Sequence, residues 1–269
     1  MSTDSDTDIR ERLREFVSAI RAPSEEVDDK YERVREIDER ETVERHSLGA
    51  RLSHWTQATL MFVLIGTGYA IWTGSYGPLN IAPWDGYYLA FGMHMWAGTL
   101  LMAVLFVLFP LYHVVADGHR QLAEPDDIRV TVRVAQAFVG LKSYIPGYHR
   151  ARETYDEEDG DWLAYHPMQK TFFWWVSIFF GVLAVTGFSM YAEMSSDPEW
   201  WAELIGFLTP WLAFETLLQI HLLVAFLVVA MVMGHVYFAI LPSNHAALKS
   251  MVFGKMDAYV LQEDDDDDE

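Results

Sequence analysis

The chain has 269 residues, 51% of them hydrophobic, and carries a formal charge of −20 with 39 Asp and Glu against 19 Lys and Arg. Cysteine is absent, which excludes disulfides, thiolate catalysis, cysteine-held iron–sulfur clusters and covalent c-type haem within this chain. So acidic a chain is not expected to bind nucleic acid.

High apolar content and high charge are compatible here because they are segregated along the chain. Uncharged runs at about 52–73, 87–115, 171–192 and 216–241 are each long enough to cross a bilayer. The reading is an all-α integral membrane protein with a four-helix bundle over 51–248, a charged extension at 1–50, a loop at 117–170 and an acidic tail at 249–269.

Residues 1–50 lack the apolar core of a secretory signal, so the first span is expected to serve as its own insertion signal. Fragments such as IRERLREFVSAI read as short amphipathic helices or as an undocked extension. Every Lys and Arg lies before the first span, between the second and third, or after the fourth, while loops 74–85 and 193–215 have none. By the positive-inside rule both termini and the middle loop are cytoplasmic, in a multi-pass protein of the cell membrane. The final EDDDDDE reads as a solvated tail. Acidic soluble segments poor in lysine also suit a high-salt cytoplasm.

The first span opens with Arg51-Leu52-Ser53-His54-Trp55. The second carries His94 near its outer end, followed by Gly98, and His113 near its inner end, with Pro110 expected to kink it. The third has no histidine, but its Thr186-Gly187 echoes Thr67-Gly68 of the first, a weak sign of duplication. PEWWAELIGFLTPWLAF then reads as an aromatic segment in the outer interface.

In the fourth span His221 and His235 stand fourteen residues apart, about 1400° around a helix and roughly 21 Å along it. Both imidazoles therefore face nearly the same way, one near each edge of the bilayer, as expected of a helix giving one axial ligand to each of two haems. The plainer reading is that each histidine hydrogen-bonds a neighbouring helix; ionisable groups at membrane depth favour a task. Span directions sort the rest by depth. His94 and His221 fall at the outer level, His54 and His235 at the inner. Gly68, Gly98 and Gly187 lie near the outer depth, where small residues serve either a wedged haem or tight helix packing. His113 is turned about 100° from the His94 face on an ideal helix. His46, His119, His149 and His245 fall in cytoplasmic segments, away from the ladder.

Taken in order, Arg51-Leu52-Ser53-His54-Trp55, Met93-His94 with Gly98, Gln169-Lys170 leading into Phe172-Phe173-Trp174, Val185-Thr186-Gly187 and the His221/His235 pair form a pattern. Over about residues 45–256 it resembles the membrane cytochrome b (gamma) subunit of respiratory formate dehydrogenase, within the group that includes the cytochrome b of nickel hydrogenases. The resemblance implies two b-type haems, an outer one on His94 and His221 and an inner one on His54 and His235. It further implies an iron–sulfur partner on the outer side, a catalytic subunit of molybdopterin type in the same complex, and reduction of a quinone, taken to be menaquinone, near the cytoplasmic face. Assembly of such complexes into homo-oligomers is a further expectation.

In that family a short Asn-x-Gly-Gln-Lys segment before the third helix helps to bind quinone. Here it reads His166-Pro167-Met168-Gln169-Lys170, so His166 and Met168 replace two of its positions and His166, Gln169 and Lys170 are the candidate quinone residues. His166 either bonds a quinone carbonyl and relays a proton or is an interfacial histidine. The chain thus reads as an electron-transfer subunit without substrate chemistry of its own. The rivals are the cytochrome b of a hydrogenase or thiosulfate oxidoreductase and, from another class, a haem-free membrane anchor or assembly subunit. A proton-coupled transporter is disfavoured, since the spans hold no acidic residue.

Overall fold

The computed structural model describes residues 39–81, 85–115, 125–141, 147–157, 160–162 and 167–261. In chain order its elements are β1 (Arg40–Glu44), α1 (Leu48–Thr73), a 3-10 turn (Gly77–Leu79), α2 (Gly86–Ala103), a π turn (Val104–Leu108) and α3 (Phe109–Val115). They continue with α4 (Pro125–Phe138), α5 (Tyr148–Ala151), β2 (Thr154–Asp156), β3 (Asp161–Trp162), α6 (Pro167–Met194), α7 (Trp200–Ile205), α8 (Phe214–Ala239), a 3-10 turn (Pro242–Asn244), α9 (His245–Phe253) and β4 (Lys255–Leu261). The chain divides into two compact units, one built from 45–120 and 174–254, the other from 1–44, 121–173 and 255–269.

The first unit holds the long helices. Three stretches among the described residues are long and apolar enough to cross a membrane: Gly86–Tyr112, Phe172–Met194 and Phe214–Ala239. α1 matches them in length at 26 residues, about 39 Å, but Arg51, Ser53, His54 and Gln57 make its first turns polar. The expectation of four spans is thus met at three. Large apolar side chains stand exposed along these helices, among them Phe62, Trp72, Tyr88, Trp96, Leu223 and Met233. So much bare apolar surface is what a helix in lipid presents.

Local chemistry sets the helix ends. Ser47 caps α1 by accepting from the Ala50 N–H, and Gly74 ends it in the left-handed region at φ 68°, where its N–H bonds Ala70 O. Asp85 caps α2 by accepting from Tyr87 N–H. The irregularity expected at Pro110 takes the form of the π turn. Proline lacks an N–H and its ring crowds the carbonyl four residues back, Phe106, which lies in the widened turn. Phe109 N–H accordingly reaches Val104 O, five residues back. Below the turn Tyr112 bonds Ser47 Oγ at 2.6 Å.

At the polar end of α1, the Gly254 carbonyl that follows α9 accepts from Arg45 N and His46 N at 2.8 and 3.1 Å. Arg51 Nη1 donates to Val252 O at 2.7 Å and Trp55 Nε1 to Met251 O at 3.0 Å. These bonds satisfy the last carbonyls of α9 with cationic and indole donors. Burial, joined by the charges of Arg45, His54 and Arg51, lowers the His46 pKa to about 4.

The second unit departs from the all-α expectation: it contains a four-stranded sheet ordered β1-β4-β2-β3. β4 lies between β1, antiparallel, and β2, parallel, while β3 pairs β2 antiparallel. Residues 40–44, in the extension read as helical or undocked, are a strand, and so are 255–261 in the segment read as an acidic tail. β4 alternates, with Met256, Ala258 and Val260 buried and Lys255 and Asp257 exposed. Met256 and Ala258 pack with Trp162. Arg40 and Arg150 both lie over the Tyr259 ring, at 4.0 and 4.2 Å from its centre.

Candidate functional site

The four histidines of the ladder come together in two pairs. His94 on α2 faces His221 on α8 with ring centres 6.4 Å apart and planes inclined at 61°. His54 on α1 faces His235 on α8 at 6.3 Å and 48°. One helix thus supplies a member to each pair, and fourteen residues separate the two members along it.

The separation has a chemical meaning. Rings 6.3 to 6.4 Å apart do not touch and do not hydrogen-bond. A central metal with bonds of about 2 Å to an imidazole nitrogen on each side, plus roughly 1 Å from each nitrogen to its ring centre, requires about 6 Å. Among the described residues no group of three or more His, Asp or Glu gathers to hold a metal ion. A two-imidazole site suits an iron whose remaining ligands come from a porphyrin, and the residues present fit haem b.

The first pair is seated by two matching threonines. Thr67 Oγ1 lies 2.9 Å from His94 Nδ1, and Thr186 Oγ1 lies 2.9 Å from His221 Nδ1. Each hydroxyl donates its one proton to its own helix, Thr67 to Val63 O at 2.7 Å and Thr186 to Val182 O at 2.7 Å. Toward the imidazole each hydroxyl can therefore only accept, so Nδ1 carries the hydrogen and Nε2 keeps its lone pair. The backbone carbonyls of Leu64 and Leu183 also lie within reach of these rings. With Thr67 4% and Thr186 1% exposed, water does not compete for the bonds.

The adjoining glycines are there for the rings. A Cβ on Gly68 would stand 3.2 Å from His94 Cε1, and one on Gly187 would stand 3.2 Å from His221 Cε1. The space read from sequence as room for a wedged cofactor is taken by the imidazoles themselves. Gly98 meets only Leu64, at 3.8 Å, and does not touch a histidine. The Thr-Gly echo, weak as a sequence signal, is thus the same structural device used twice.

The second pair is built differently. His54 Nδ1 is buried and accepts or donates no hydrogen bond among the described residues, while Trp55 stands edge-on to the ring at 5.2 Å. His235 is exposed.

Other histidines fall elsewhere. His245 Nε2 bonds Ile240 O at 2.9 Å beyond the end of α8. His113 belongs to α3, His149 to α5, and Gln169 and Lys170 to the first turn of α6, but the side chains of all four lie outside the described residues, as do His119 and His166 altogether. Sequence reasoning did not assign Thr67 or Thr186 a role, although the repeated Thr-Gly was the available signal.

Residues 45–254 match the family described as prokaryotic cytochrome b561. A relative, the probable Ni/Fe-hydrogenase B-type cytochrome subunit of Bradyrhizobium diazoefficiens, is 27% identical over 228 residues, 80% of this chain and 86% of the relative. The matched span contains both histidine pairs and both threonine seats. The chain belongs to the prokaryotic cytochrome b561 family and is a b-type cytochrome with an electron-transfer role in the membrane.

Proposed function

We propose that this chain is the dihaem membrane subunit of a respiratory oxidoreductase, carrying electrons from an iron–sulfur partner on the outer side to a quinone, taken as menaquinone, near the cytoplasmic side. The observation that carries the reading is the two imidazole pairs with centres 6.4 and 6.3 Å apart, each at the distance two axial ligands require. When bound, haem b supplies reversible one-electron chemistry. His94 and His221 hold the outer group, His54 and His235 the inner. α1 is the fourth span, and the distribution of Lys and Arg sets both termini in the cytoplasm.

His166, Gln169 and Lys170 are the proposed quinone residues, on the sequence likeness alone. Moving an electron inward against the resting potential costs about 2.3 kcal/mol per 100 mV, which the donor's redox drop must supply. The sequence motifs favour a formate dehydrogenase with a molybdopterin catalytic subunit; the hydrogenase cytochrome of Bradyrhizobium favours a hydrogenase as the second reading. Purification of the native complex and assay with formate or hydrogen separates the two.

The test of the core assignment is a haem count by pyridine haemochrome on the purified chain and on His221→Ala and His235→Ala. Two haems in the parent and one in each variant is the expected result. No haem in the parent leaves a membrane anchor, and an unchanged count in the variants defeats the ligand assignment.

A further inference from the structure

The two histidine pairs differ in what stands behind the rings, and the difference has a direction. In the first pair both Nδ1–H groups are anchored, His94 by Thr67 and His221 by Thr186, each at 2.9 Å. In the second, His54 Nδ1 is buried without a hydrogen bond among the described residues. An imidazole whose Nδ1–H is donated to an oxygen is a stronger electron donor through Nε2, and a stronger donor stabilises the oxidised metal.

We propose that Thr67 and Thr186 are positioning residues that lower the reduction potential of the His94/His221 site below that of the His54/His235 site, so that the bonding behind the histidines sets the direction of electron flow from outer to inner haem.

This rests on the dihaem reading above. The threonines never touch the reacting atoms; they act by holding tautomer and ring orientation. Their placement is specific to the task. Each hydroxyl is committed by its own donation to a carbonyl one turn back, to Val63 O and Val182 O. That leaves a lone pair aimed at the imidazole and rules out the opposite polarity. Gly68 and Gly187, each next in sequence to its threonine, let the ring come that close. The same Thr-Gly seat from α1 and from α6 grips the histidines of two different helices, so both axial ligands of one site are tuned alike. A purely packing role would require neither the hydroxyl nor this symmetry. Leu64 and Leu183 carbonyls remain as secondary acceptors in a threonine variant, but each already receives its helical N–H, so the bond to the ring weakens and does not vanish.

The experiment is a potentiometric titration of the full-length holoprotein in detergent, followed optically, with low-temperature EPR of the oxidised haems. The parent is compared with Thr67→Val, Thr186→Val and the double variant, and with Thr67→Ser and Thr186→Ser, which keep the hydroxyl. The expected result is that the parent's lower-potential haem is the one lost in His94→Ala. Its potential rises in each valine variant, further in the double, with a change in its EPR g-values. The other haem stays where it was, and the serine variants match the parent. Alanine variants carry the same reading where valine impairs folding.

Two haems with unshifted potentials in the valine variants, or a shift shared equally by both haems, or a lower potential at the His54/His235 site in the parent, each overturn the proposal and leave the dihaem assignment standing. A parent without two haems overturns that assignment and the proposal with it.

Discussion

Gly68→Ala and Gly187→Ala test whether the close approach of Thr-Gly to the imidazole holds the ligand in place. A methyl at either position would stand 3.2 Å from Cε1 of the facing histidine, against an ordinary carbon contact of about 3.5–4.0 Å. The ring must retreat by roughly 0.4 Å, which stretches its 2.9 Å bond to threonine to about 3.3 Å, past the normal N–H···O range. Overpacking costs about 1–3 kcal/mol and the weakened bond up to about 1, while alanine in a helix returns about 0.5–1. The balance is roughly 1–2 kcal/mol, about 5–30-fold in an equilibrium. Gly66→Ala and Gly92→Ala are the controls: a Cβ at either meets nothing within 4 Å, and each lies about 200° around its helix from Gly68 or His94. Haem transfer to excess apomyoglobin, followed optically, is expected to run about 5–30-fold further from one of the two haems in Gly68→Ala and Gly187→Ala and unchanged in the controls. Equal transfer in all four variants would refute the reasoning.

Below pH 6.5 the protein is expected to lose stability. His46 titrates near 4 because burial and neighbouring cations disfavour its charged form; the unfolded chain then binds more protons between about pH 4 and 6.5, and stability falls through that window as pH falls, by about 2–3 kcal/mol in all. His46→Gln should flatten this part of a thermal-melt pH series; an unaltered slope would count against it. Arg51→Gln removes the donor to Val252 O and is expected to speed proteolysis at Lys249 or Lys255 several-fold with haem content kept, a comparison that digestion time courses make directly. Tyr259→Leu takes away the ring over which Arg40 and Arg150 both lie. Faster amide exchange of Thr42 and Asp257, which pair across β1 and β4, is the expected consequence, and unchanged protection would argue against it.

The approach of His94 to His221 and of His54 to His235 is legible in the sequence because helical periodicity and charge-set direction together fix both face and depth. The threonines behind the first pair are not legible in the same way: a hydroxyl that bonds its own helix looks like any Thr in a span, and only its repetition with a following glycine distinguishes it. The sheet escapes the sequence for another reason. β1, β2 and β3 are two to five residues long and polar, and the pairings of β1 and β2 with β4 join segments far apart in the chain, which no local period encodes. β4 is the exception, since KMDAYVL alternates. The form of the break in the second span, a π turn at 104–108, is announced by Pro110, whose missing donor is a sequence fact, though which turn widens is decided by packing.

The strand order carries a consequence for biosynthesis. β4, at the middle of the order, is the last of the four to leave the ribosome, and both β1 and β2 wait for it. Until residue 261 emerges, β1 has no mate and β2 has only the two-residue β3 on one side. A stop codon anywhere before Lys255 would therefore cost more than a few distal residues: it would leave β1, made more than two hundred codons earlier, with nothing to zip against and β2 with one bare edge, and mark the truncated product for the cell's quality control.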